Sequence, residues 1–155
     1  MNIDNISLIT ISISVEDKSV LFILLAKDGS VNRSGTGKLK NKENTLFISS
    51  GYAKFYNRLI KYIPRNWSML KGIYPIDIPE KKGSKCKLEV ILTDDKDISY
   101  GFVVRYGSES SEPPHDITKL VIKAVQITEP WYKEQKRLIK KIKNEDEKNS
   151  WWKFC

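Results

Sequence analysis

The chain of 155 residues contains only two cysteines, one histidine and two methionines. Two cysteines cannot staple a disulfide-rich scaffold, and they are too few for a multi-cysteine zinc cluster. One histidine, His115, excludes every site that needs two or three imidazoles. No apolar run approaches the roughly 18 residues of a membrane-spanning helix. The opening stretch MNIDNISLIT has no basic residues ahead of its apolar part, which argues against a signal peptide. No internal repeat of about 20–50 residues is visible. What is present is 40% hydrophobic residues, too many for a disordered chain. The length suits one domain able to bury its own core. The expectation is a soluble, cytosolic, single domain over residues 1–150, followed by an aromatic tail at 151–155.

Charge is the strongest compositional bias. Twenty-seven Lys and Arg stand against 19 Asp and Glu, for a net charge of +8. That excess is unevenly spread. Residues 38–87 carry twelve basic and three acidic groups, a net +9, and residues 131–155 carry eight and four, a net +4. Between them, residues 88–130 hold four basic and eight acidic groups, a net −4, and residues 1–37 are at −1. Such asymmetry bears on partners and encounter rates, not on fold.

Ile6 to Val15 alternates apolar and polar residues, which predicts a strand with one wet face. Ser19 to Ala26 is almost wholly apolar and predicts a strand buried on both faces, paired with the first as a hairpin. Val31–Arg33 and Thr45–Ser49 read as short strands, with a glycine- and lysine-rich loop from Ser34 to Asn44. Tyr52, Phe55, Tyr56, Leu59, Ile60 and Ile63 fall on one stripe at helical spacing, and Pro64 ends that helix. Residues 64–85 read as a long irregular connection, with a helical turn near Trp67–Leu70. Cys86–Thr93 and Tyr100–Tyr106, joined by Asp94–Asp97, predict a second hairpin, and Gly107–Pro114 a loop. Asp116 is placed to cap a helix through Val125, although its β-branched residues also fit a strand. Pro130 suits the first turn of a last helix, with Trp131, Leu138, Ile139 and Ile142 turned to the core. Hairpins and helices in blocks predict an α+β fold: an antiparallel sheet with two or three helices on one face.

The motifs that would carry chemistry mostly fail on spacing. Asp28 to Lys38 resembles a phosphate loop, but Asn32 stands where the first glycine should be and Leu39 follows the lysine. The acidic group Asp94, Asp95 and Asp97 has no glycine in the position a calcium loop needs, so it reads as hairpin-turn carboxylates. His115 lies at a helix start, and nothing in the sequence pairs it with Cys86 or a serine as a nucleophile.

Two cationic features remain. Lys54, Arg58, Lys61 and Arg65 share one edge of the central helix, where four like charges repel unless an anion relieves them. Trp67 follows as a candidate aromatic anchor for a partner. The C-terminal segment adds Lys136, Lys140 and Lys143 with Trp151 and Trp152, a second candidate surface of interleaved charge and rings. Neither feature implies a metal or a cofactor. They point to a non-catalytic binding protein, an adaptor or an immunity-like antidote, that holds an acidic protein partner. Nucleic acid is the alternative partner, through the same helix and tail.

Overall fold

Alternating apolar residues send every second side chain of the long strands to one sheet face, and that face becomes the core. The computed structural model describes residues 2–38, 45–67, 73–74, 86–106 and 115–151. After a short 3-10 turn at Ile3–Asn5, the strands are β1 (Ile6–Val15), β2 (Lys18–Ala26), β3 (Val31–Ser34) and β4 (Phe47–Ser49). Helix α1 (Ala53–Leu59) runs into a 3-10 turn at Ile60–Tyr62. Then come β5 (Ile73–Tyr74), β6 (Cys86–Asp94), β7 (Ser99–Tyr106) and one long helix, α2 (His115–Trp151). The sheet order is β4-β3-β2-β1-β6-β7-β5. Its first six strands pair antiparallel, and β5 adds to β7 in parallel.

Strand register lines up one row of side chains across six strands: Phe47, Arg33, Ile23, Ile11, Val90 and Phe102. Every member of that row is buried. The row beside it, Val31, Leu25, Ile9 and Leu92, is buried as well. The helices cover this face. Tyr132 of α2 packs edge-on against Phe47, with ring centroids 5.6 Å apart. Tyr56 of α1 donates its hydroxyl to the Ile6 carbonyl. Trp67 covers the far end of the row, its ring centroid 5.9 Å from Phe102. Each large apolar side chain so buried contributes about 1.5–3 kcal/mol.

Arg33 is the one charge in the row, and it is fully buried. Its Nε donates to the Gly35 carbonyl at 3.3 Å, and NH1 donates to Thr128 Oγ1 at 3.0 Å and to the Val125 carbonyl at 3.3 Å. NH2 lies 2.9 Å from Glu129 Oε2, and the guanidinium stacks 4.2 Å from the Tyr132 ring centroid. Gly35 makes this geometry reachable: at φ +78° it approaches the Val20 carbonyl so closely that a Cβ would collide with it. Gly29, at φ +102°, plays a similar part at the β2–β3 turn, where its carbonyl accepts from Tyr52 N at 3.0 Å and holds the start of α1.

Several expectations change. β2 is fully buried on one face only; Phe22, Leu24 and Ala26 on the other are half-exposed, because the helical contacts fall on the opposite face. Residues 115–151 form one helix, neither a strand nor two helices, and Pro130 sits inside it. Asp116 lies in its first turn, not at the cap. Ile117, Leu120, Val121, Ala124, Ile127, Trp131 and Tyr132 make its buried stripe. Past Tyr132 the helix keeps Ile139 partly buried against the core, but Leu138 and Ile142 are exposed (39% and 57%) and do not join it. Asp94 organises the β6–β7 turn, as a turn carboxylate should, accepting from Lys96 N and Ile98 N at 2.9 Å each. The loops expected at 39–44 and 107–114, the turn at Ser68–Leu70 and the tail after Trp151 lie outside the described residues. Among the described residues no helix is long and apolar enough to cross a membrane.

Arg33→Ala removes every donor of that cluster from a dry site and should cost about 3–5 kcal/mol in urea denaturation. Glu129→Gln should cost much less, about 1 kcal/mol or below, because Glu129 is 32% exposed and an amide oxygen stays beside the guanidinium as an acceptor. Burial raises the Tyr56 phenol above its ordinary value. The unfolded phenol therefore loses its proton first, near pH 10, and stability should fall as pH rises through and beyond that value. Tyr56→Phe should flatten that alkaline decline relative to the wild type, read as denaturation midpoints between pH 8 and 11.

Candidate anion-binding cleft

Arg58 closes α1 and Lys61 stands in the 3-10 turn that continues it; cations are favoured at such carbonyl-rich helix ends. The buried Phe55, Tyr56 and Leu59 turn inward, which leaves Arg58 and Lys61 exposed. On α2, Ile127 and Ala124 face the core, which brings Lys123 and Gln126 to the rim beside α1. The result is a cleft of about 210 Å³ lined by Arg58, Lys61, Tyr62, Lys123, Gln126 and Ile127. Tyr62 forms its wall. The ammonium groups of Lys119 and Lys123 lie 5.8 and 5.3 Å from its ring centroid, within cation–π range.

Three cations and an amide therefore converge from two elements. The ion pairs Arg33–Glu129, Lys87–Glu89 and Arg137–Glu134 lie away from this cleft, and among the described residues no carboxylate pairs with Arg58, Lys61 or Lys123. Its chemistry is that of an anion receptor: guanidinium and ammonium groups supply charge and donors, Gln126 adds donors and an acceptor, and Ile127 supplies an apolar floor.

The residues singled out from sequence separate into three groups. Arg58 and Lys61 line the cleft, while Lys54, one turn earlier on α1, and Arg65, in the turn after Pro64, are exposed outside its lining. The four do not form one helical stripe, because α1 ends at Leu59 and Pro64 turns the chain before Arg65. Trp67 is no surface anchor: at 1% exposure it is core, held against Phe102. Lys136, Lys140 and Lys143 line a separate cavity of about 140 Å³ with Thr45, Phe47 and Ile139. Trp151 ends the described part of α2, and Trp152 lies outside the described residues.

Lys119, Lys123, Gln126 and Tyr62 went unread in the sequence. The i, i+4 spacing of Lys119 and Lys123 was visible, but these lysines sit in a segment of net negative charge, which concealed them. Cys86 offers no activated nucleophile: burial and the nearby Glu16 carboxylate push its thiol above the ordinary value, which keeps it protonated at neutral pH. His115 is exposed at the start of α2. Comparison of the chain with protein families, with curated proteins and with solved structures finds no match.

Unrelieved repulsion between the cleft cations should register in stability. Neutralising one of them, as in Lys61→Gln or Lys123→Gln, should raise Tm at low ionic strength. Thermal denaturation near 1 M salt, where the screening length is about 3 Å, should erase that gain.

Proposed function

We propose that this is a non-catalytic, cytosolic binding protein, an adaptor or immunity-like antidote, that holds an acidic protein partner at the cleft between α1 and α2. One observation carries the reading: Arg58, Lys61 and Lys123 converge from two helical elements with no carboxylate partner among the described residues. Proteins rarely gather like charges without compensation, because each lowers the stability of the fold. An acidic partner supplies the missing charge. Complementary potentials then accelerate encounter and select against wrong partners.

Nucleic acid draws on the same cations, but it also favours open aromatic faces on which bases stack. The ring at this cleft, Tyr62, is half-buried and already carries two lysines. That favours carboxylates over bases.

Titration of a fluorescent acidic peptide into the intact chain tests the reading. Binding should weaken with salt and fall at least tenfold in the charge-reversed variant R58E/K61E/K123E. The variant K18E/K27E, altered at exposed lysines on β2 and the turn after it, should bind as the wild type does. Equal losses in both variants would show diffuse attraction and overturn the cleft. Tighter capture of a DNA or RNA oligonucleotide at physiological salt would replace the acidic protein with nucleic acid.

A further inference from the structure

The second cationic cavity shares no residue with the cleft, and it stands where the sheet is open. β4 ends the strand order on its side, so among the described residues its outer edge has no neighbouring strand. Such an edge presents backbone donors and acceptors that an added strand can pair. Ile48, on the β4 face opposite Phe47, is 66% exposed, and Leu46, just before the strand, is half-exposed. On the inner side, Phe47 and Ile139 form an apolar floor of the cavity, and Lys136, Lys140 and Lys143 form its rim.

The rim is stepped more closely than a strand, but lysine side chains are long enough to reach one. At 1.5 Å per helical residue, Lys136, Lys140 and Lys143 rise in steps of about 6 and 4.5 Å. Same-face residues of a strand stand about 6.6–6.8 Å apart, a step that Lys140 and Lys143 can span to meet two carboxylates, while Lys136 lies over the Tyr132 ring, 5.4 Å from its centroid. A segment added to β4 would send these carboxylates inward and its intervening apolar residues outward beside Ile48. The cavity, near 140 Å³, is close in size to one known to hold a benzene-sized group. It can therefore seat the stem of one such inward side chain.

We propose that β4 and the projecting half of α2 bind an acidic polypeptide segment of alternating carboxylate and apolar residues, which extends the sheet as an eighth strand. Charge selects this occupant over a second copy of the chain. Residues 131–145 hold six basic and two acidic groups, so two such helices repel each other. The cavity also differs from a single-strand nucleic-acid groove. Its ring, Phe47, is buried and packed edge-on against Tyr132, which leaves no face for a base.

The test uses the full ¹⁵N-labelled chain and a capped peptide of about seven residues, a common strand length, alternating glutamate and valine. Amide shifts should change at Phe47–Ser49 and along Lys140–Lys143. Affinity should fall at least tenfold for K140E/K143E, both exposed positions whose reversal leaves the core intact, and for a peptide N-methylated on its pairing edge. Equal binding by the N-methylated peptide, or by one with its glutamates and valines in separate blocks, would overturn strand addition. Shifts confined to Arg58, Lys61 and Lys123 would overturn this site while leaving the cleft in place. An oligonucleotide that displaces the peptide from β4 at physiological salt would also overturn it.

Discussion

The interior of this domain is organised around a buried guanidinium. Arg33 interrupts an otherwise apolar row that crosses six strands, and a charge in that position is tolerable only if its donors are met. Nε and NH1 are met by hydrogen bonds, and NH2 by the charge of Glu129, from two sides. Gly35 supplies a carbonyl from the same strand end, while Val125, Thr128 and Glu129 approach from α2, and the Tyr132 ring covers the guanidinium plane. The requirement therefore joins β3 to one turn of α2, in a single orientation.

That turn runs directly into Pro130. Pro130 has no N–H to offer the carbonyl four residues back, at Gln126, and its ring crowds the same carbonyl. Two residues earlier, the Thr128 hydroxyl bonds back to the Ala124 carbonyl at 2.8 Å, a contact that slightly destabilises helices and often bends them. Arg33 donates to the Val125 carbonyl and the Thr128 hydroxyl just ahead of the proline, which ties this stretch to β3. The helix passes through Pro130 and continues beyond the sheet. Both cationic surfaces follow from this. The part of α2 before Pro130 walls the cleft with α1, and the part after it roofs the cavity beside β4.

Much of the sheet was legible in the chain. Ile9, Ile11 and Val15, like Leu88, Val90 and Leu92, alternate at period two, and burial follows that alternation. The α1 stripe was equally plain, since Phe55, Tyr56 and Leu59 are buried and Pro64 closes it. Segment 115–151 was misread for a physical reason. Proline at a helix start and proline within a helix look alike in sequence, and only the continuous backbone of α2 distinguishes them. Leu138 and Ile142 lie on an apolar stripe that continues past the edge of the sheet, and periodicity carries no information about where a sheet stops. Trp67 was misassigned because an aromatic residue after a basic helix suits an anchor and a core plug equally well.

By itself the sequence determined the six antiparallel strands, the first helix, and the excess of positive charge with its division along the chain. Periodicity and composition are local, so they survive without a fold. The tertiary structure decided which cations meet. Arg58 and Lys61 stand more than sixty residues from Lys123, and only the packing of α1 on α2 makes them one cleft. It also decided that Arg33, one lysine-like charge among 27 on paper, is the group buried in the core. Burial is a property of neighbours, and neighbours so distant in the chain are chosen by packing.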